Sequence, residues 1–213
     1  MNRKAEARDR ILRAAVDTLA TQGFAAATAR AIAVTGGFAP GVIYYHFEDL
    51  EDVFLAAMRY TSDRRMERYV ERTAPAADPP AMLQALRELY AEDVATGHIA
   101  AVQELTVGAR SSERLAAGVR AEIERWEEYA ETLLRRLTAG TPLAELIPAR
   151  AAATAVMAFY LGLEMLTHLD GDRARGEALF AAAEPLAALL GALLPGPGAP
   201  GLPGSGPGPG EPA

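Results

Sequence analysis

Cysteine is absent from the 213 residues, which excludes a disulfide framework and any thiolate metal site. Histidine is scarce. His46, His98 and His168 are the three, and no two stand at metal-ligand spacing, so no metal is expected. Phosphate loops and nucleophile elbows are missing. The carboxylate pairs Glu92-Asp93 and Glu127-Glu128 are chain neighbours, which diverge on a helix rather than converge on a substrate. These absences argue against an enzyme and against a cofactor. No apolar run approaches the roughly 20 residues of a membrane span, and the N-terminal MNRKAEARDR lacks the apolar centre of a signal peptide. A cytoplasmic soluble protein with no membrane partner is the expectation. Alternating apolar and polar runs are also missing, which leaves no strand and an all-α fold class.

Half of the residues are apolar, enough for a sizeable core at this length. The net charge of −7 looks unsuited to a polyanion partner, but it is unevenly spread. Residues 1–47 carry Arg3, Lys4, Arg8, Arg10, Arg13 and Arg30 against Glu6, Asp9 and Asp17. The acidic excess lies in the remainder. A basic head on an acidic body can dock on phosphates while the body stays clear.

The stretch TARAIAVTGGFAPGVIYYHF, Thr28 to Phe47, organises the chain. Thr28 is placed to cap a short helix carrying Ile32. Gly36-Gly37 frees the backbone for a sharp turn. Ala39 and Pro40 open a second short helix, where Pro lacks only an N–H that is not needed. Ile43 and Phe47, four residues apart, point inward together. Gly41, Val42, Tyr44, Tyr45 and His46 are then left to face outward. This is the outline of a helix-turn-helix, preceded by a helix over 5–22 with Leu12, Ala15, Val16 and Leu19 on one face and Gly23 at its end. Thr28, Arg30, Ala39, Pro40, Gly41, Val42, Tyr44, Tyr45 and His46 are the candidate DNA contacts.

The residues Gly23-Phe24, Thr28, Ile32-Ala33, Gly37 and Gly41-Val-Ile-Tyr-Tyr-His-Phe47 resemble the N-terminal DNA-binding domain of the TetR family of bacterial transcriptional regulators. The resemblance covers about residues 5–60. It implies a homodimer, a palindromic double-stranded DNA operator and a small-molecule effector cavity in the body. Departures from the family pattern are Gly36-Gly37-Phe38-Ala39 in place of Ala-Gly-Val-Ser, and Leu50 in place of Lys. Four carboxylates, Glu48, Asp49, Glu51 and Asp52, stand where a phosphate track is expected. Asp49 as N-cap and Asp52 as the third residue of the helix also suit a helix start.

Nine helices are expected in all. Residues 1–49 form the helix-turn-helix domain and 50–73 a linking helix. On that helix Val53, Phe54, Ala57 and Met58 face inward. Arg64, Arg65 and Arg68 alternate with Glu67 and Glu71 on the outer face, as the pairs Arg64–Glu67 and Arg68–Glu71. APAADPP at 74–80 breaks the chain. Residues 74–194 form a helical ligand-binding and dimerisation domain, and 195–213, with seven Gly and seven Pro, a disordered tail.

The last two helices are apolar over a wide arc. Val156, Leu163, Leu166, Leu179, Phe180, Leu186 and Leu190 are the expected dimer interface, a four-helix bundle shared by two copies. An intrachain core is the other use of such faces. Met82, Tyr90, Trp126, Tyr129, Met157, Phe159, Tyr160 and Met165 are the candidate lining of a ligand cavity. Glu104, Glu164, His98 and His168 are its candidate polar contacts. The resulting expectation is a ligand-responsive DNA-binding regulator, a repressor released by a small, mainly apolar effector. The rival is a helical dimer that binds a ligand or protein while its degenerate head binds DNA weakly or not at all.

Overall fold

The computed structural model describes residues 3–96 and 98–193. The Gly/Pro-rich tail expected at 195–213 lies outside the described residues. Those residues form α1 (Arg3–Gln22), a 3-10 turn (Phe24–Ala26), α2 (Ala29–Gly36), α3 (Gly41–His46) and α4 (Leu50–Thr73). Then follow α5 (Pro79–Thr96), α6 (His98–Gly108), α7 (Glu113–Thr138), α8 (Leu143–Leu146), α9 (Ala149–Asp170) and α10 (Ala174–Leu193). The fold is all-α, with a helix-turn-helix followed by a helical body. One helix exceeds the nine expected. α8 is a single turn that follows the Gly140-Thr141-Pro142 break, too short to carry a periodic signal.

Local chemistry sets the ends of the first helices. α1 buries Ile11, Leu12, Ala15, Val16 and Leu19, then stops at Gly23, whose φ of 80° is open to glycine at little cost. Thr28 accepts the Ala31 N–H at 3.2 Å and starts α2. Gly37, left-handed at φ 64°, ends it. Asp49 accepts the Asp52 N–H at 2.7 Å. The Asp52 carboxylate in turn accepts the Glu48 N–H at 3.3 Å, which ties the start of α4 from both sides, one residue further out than in a capping box.

The core of the three N-terminal helices does not close on itself. Ile11, Leu12, Leu19, Ile32, Ile43 and Phe47 pack in one cluster with Ala101 and Leu105 of α6 and Leu115 and Val119 of α7. α1 therefore rests on α2, α4 and α6 at once, while α7 runs along α9 and α5 along α10. Each large side chain buried in this way contributes about 1.5–3 kcal/mol.

Two readings of the sequence are corrected here. Arg65, assigned to the outer face of α4, is buried with only 6% of its surface exposed. It lies on the helical face that also holds Met58, Thr61, Ser62 and Tyr69. The ion pairs expected within α4 are replaced by pairs between helices. Arg68 reaches Asp93 at 3.4 Å and Arg72 reaches Glu88 at 2.6 Å, whereas Arg64 stays within α4, over the Tyr60 ring one turn earlier. α4 is clasped by neighbours on several sides, so Arg68 and Arg72 find partners on α5 rather than along their own helix. α9 also departs from expectation, because its 22 residues are long and apolar enough to cross a membrane by length and composition alone. It packs along α7 and carries a buried carboxyl group, Glu164, in its second half.

Candidate nucleic-acid interface and ligand cavity

α3 is held from behind. Ile43 is fully buried and Phe47 nearly so, and the Arg8 guanidinium covers the Phe47 ring at 5.0 Å. The opposite face is bare. Tyr44 is 56% and Tyr45 75% exposed, and Thr28, Arg30, Ala39, Pro40 and Gly41 are exposed around them. Val42 and His46 are half-buried, His46 edge-on to the Tyr45 ring at 5.1 Å. A Cβ at Gly41 would meet nothing within 4 Å, so packing within the chain does not require glycine there. The nine candidate contacts thus lie on or beside one short helix and the start of the preceding one. Ala39 supplies no cap, and among the described residues no side chain caps α3.

Arg10 is not available to a partner in the way its position on α1 suggests. Its Nε donates to the Gly36 carbonyl at 2.7 Å and its Nη2 to the Gly37 carbonyl. Its charge therefore neutralises the negative end of α2 and fixes the turn before α3. The carboxylates after α3 are also partly engaged. Arg114 of α7 holds Asp49 at 2.7 Å, and the Asp49 pKa is lowered first by the Asp52 N–H and further by Arg114.

In the body, α4, α5, α7, α9 and α10 enclose an apolar cavity of about 260 Å³. Met82, Tyr90, Trp126, Tyr129, Met157, Phe159 and Tyr160 all line it. Met165, the eighth candidate, does not; it is half exposed on the outer face of α9. Two residues assigned to a dimer interface also line the cavity: Leu163, which is buried, and Phe180, whose ring packs 5.4 Å from that of Tyr90. Val156 borders the cavity and is also 46% exposed. Leu179 and Leu186 are exposed, with Phe159, Met165, Leu169 and Leu189 beside them on α9 and α10. Leu166 and Leu190 are half-buried.

One wall of the cavity is a buried polar cluster that sequence reasoning missed. Arg65 donates to Asp93 through Nε at 3.0 Å and Nη2 at 2.6 Å. The hydroxyls of Tyr69 and Tyr160 donate to the same carboxylate at 2.7 and 2.8 Å. The guanidinium carbon lies 4.7 Å from the centre of the Trp126 ring, a cation–π geometry. Burial works against charge on Asp93, but hydrogen bonds and charge from Arg65 prevail and its pKa is lowered. Burial raises the Tyr69 and Tyr160 pKa values, keeping both as donors. The signal was present in the spacing: 58, 61, 62, 65 and 69 share one face of α4, and 86, 89, 90 and 93 one face of α5.

Three of the four polar candidates, Glu104, Glu164 and His168, lie away from the apolar cavity. Glu164 and His168 line a separate, more polar hollow with Asp93, Gln103 and Arg173. There burial pushes the Glu164 carboxyl up to about 7, and the Asp93 charge adds to the effect. Glu104 turns towards the N-terminal helices and accepts the Phe24 N–H at 2.7 Å. The His98 side chain lies outside the described residues. Among the described residues, no group of His, Asp or Glu is arranged to hold a metal ion.

Residues 11–57 match the family model described as bacterial regulatory proteins, tetR family. Uncharacterized HTH-type transcriptional regulators of Mycobacterium bovis and Mycobacterium tuberculosis are each 38% identical over 116 residues, 53% of this chain and 58% of theirs. The match thus spans little more than half the length of these relatives. Among solved structures, a TetR-family regulator from Rhodococcus superposes with a TM-score of 0.71 at 21% identity, covering 86% of this chain and 99% of that one. The fatty acid degradation regulator FadR from Bacillus halodurans gives a TM-score of 0.69 at 22% identity, covering 90% and 96%. A transcriptional regulator from Saccharomonospora viridis in complex with choline gives 0.64 at 22%, covering 80% and 88%.

Proposed function

From the match of residues 11–57 to the tetR family model, we propose that the chain is a TetR-family regulator and, more narrowly, a ligand-responsive transcriptional repressor. It binds a palindromic operator as a homodimer and is released by a small, mainly apolar effector. The observation that carries this reading is the exposure of Tyr44 and Tyr45 on α3 while Ile43 and Phe47 anchor the same helix from behind. Exposed phenols at the end of a short, rigidly backed helix suit phosphate contacts beside a major groove. Ala39, just before α3, offers no hydroxyl to a phosphate.

The bare apolar stripe on α9 and α10, with Val156, Leu179, Leu186 and Leu189 exposed, supports pairing with a second copy. Two copies would present two α3 helices to half-sites about 34–36 Å apart. The apolar cavity supports an effector, and the choline complex of the Saccharomonospora neighbour supports a small molecule in such a body. The effector must bind the form that releases DNA better than the form that holds it, with a coupling of about 1–3 kcal/mol.

A rival reading, a dimer whose head no longer recognises operators, draws on the carboxylates Glu48, Asp49, Glu51 and Asp52 beside α3. A gel shift against DNA flanking the protein's own gene, repeated across salt, separates the two. Sequence-selective binding that weakens steeply with salt supports the repressor. Weak, sequence-blind binding at every salt concentration supports the rival. Sedimentation of the same samples must return a dimer, and Leu186→Glu must shift it to monomer and abolish the operator complex.

A further inference from the structure

The apolar cavity has nearly all of its polar wall already satisfied. Tyr90 shares a hydrogen bond with Thr167 at 2.6 Å and Tyr129 one with Thr73 at 2.7 Å. The Trp126 indole N–H donates to Ser62 at 2.8 Å, and Ser62 donates to Glu122 at 3.1 Å. Thr61 donates to the Met58 carbonyl. Tyr69 and Tyr160 are held by Asp93. Glu122 meets Arg125 at 2.9 Å.

Arg65 differs. Its Nε and Nη2 are taken by Asp93 and Tyr160, while Nη1 makes no hydrogen bond among the described residues. Nor is Nη1 sealed away, since the fully occluded unpaired side-chain atoms are Tyr60 Oη, Arg68 Nε, Gln103 Nε2 and Glu164 Oε1. Arg65 is among the residues that line the apolar cavity.

We propose that this amino group selects the effector, and that the effector is an apolar molecule bearing one neutral carbonyl oxygen, a ketone or an ester, which accepts from Arg65 Nη1. The proposal rests on the effector reading given above. The guanidinium charge is already answered by Asp93, whose side chain has no exposed surface; Arg68, the second cation on that carboxylate at 3.4 Å, is 36% exposed and screened by solvent. An anionic head would therefore bring an uncompensated charge between apolar walls. An ammonium would be repelled by the guanidinium. A pure hydrocarbon would exclude water from Nη1 and leave the donor unmet. A neutral acceptor satisfies the donor through a charge-assisted bond and adds no charge.

Trp126 is the single tryptophan and lines the cavity, so its fluorescence reports occupancy directly. The full-length chain is titrated with 2-octanone, octanoate, octylammonium and octane. The ketone is expected to bind more tightly than either charged probe. Arg65→Met is expected to weaken the ketone about tenfold, the scale of a hydrogen bond to a charged group, and to leave octane within about threefold. The infrared carbonyl stretch of the ketone bound to the unaltered protein is expected at lower wavenumber than in hexane, which decides the question even if Arg65→Met does not fold. Equal weakening of ketone and octane, an unshifted carbonyl stretch, or tightest binding by octanoate or octylammonium each overturns the proposal while leaving an effector cavity in place. Silence of Trp126 to all four probes overturns the proposal and the effector cavity together.

Discussion

The Glu104 carboxylate accepts the backbone N–H of Phe24 at 2.7 Å, across 80 residues of chain. Phe24 begins the 3-10 turn between α1 and α2, and Glu104 lies on α6. Its side chain also sits 3.2 Å from where a Cβ would stand on Gly23. One side chain of the body thus grips the turn that leads into the helix-turn-helix. Arg114 makes a second grip from α7, on Asp49 at the start of α4.

Replacing Glu104 by Ala leaves the Phe24 N–H without a partner. The expected cost is about 1–2 kcal/mol in urea unfolding. Glu104→Gln retains an acceptor oxygen and is expected to recover most of that loss. If both variants unfold with the parent protein, the contact does not anchor the turn.

Asp93 is the shared acceptor for Arg65, Tyr69 and Tyr160. Asp93→Ala strands a buried guanidinium and two buried hydroxyls. A loss of about 3–5 kcal/mol is expected. The double replacement Arg65→Met with Asp93→Leu is expected to regain a large part of it, because an apolar pair of similar volume removes both desolvation costs. Chemical denaturation of the three variants measures this; a double replacement no better than Asp93→Ala would show that packing around the pair, not its charge, sets the stability.

Glu164 makes stability depend on pH. Its carboxyl is raised from 4.5 to about 7 by burial in the fold, so the folded protein holds a proton that the unfolded chain releases at lower pH. The contribution is complete below about pH 4.5 and is lost as pH rises through about 7. Glu164→Gln stays neutral throughout. Its advantage over the parent protein should be small near pH 4.5, grow through neutrality and level off above it, at about 3 kcal/mol at most. Parallel stability curves for the two proteins from pH 5 to 8 would refute this.

Tyr45 separates binding from folding. It is 75% exposed, so Tyr45→Ala should change unfolding stability by no more than about 0.5 kcal/mol. If Tyr45 meets DNA, the same change should weaken operator binding about tenfold, in line with losing one specific contact. Unchanged operator affinity would remove Tyr45 from the interface.

Much of the N-terminal region was legible because its signals are local. Thr28 and Asp49 cap helices with N–H groups three residues away, and Gly37 ends one with its own backbone angle. Ile43 and Phe47 share a face by helical period alone, and this frees Tyr44 and Tyr45. The aromatic lining was legible for a weaker reason: large apolar residues at helical spacing must go inside, though spacing cannot say against what. It misplaced Met165 and Leu163, which lie on a wide apolar arc where every direction looks equally buried.

The sequence by itself determined where helices start and stop and which side of each is apolar, because capping, backbone freedom and periodicity act within a few residues. Only the tertiary structure decided the rest. It buried Arg65 against Asp93, 28 residues away, and turned Glu104 from the ligand cavity to Phe24. It also left the Arg65 Nη1 amino group without a hydrogen-bond partner among the described residues. A charged side chain takes whichever partner the packing of helices brings within reach, and no spacing along the chain records that distance.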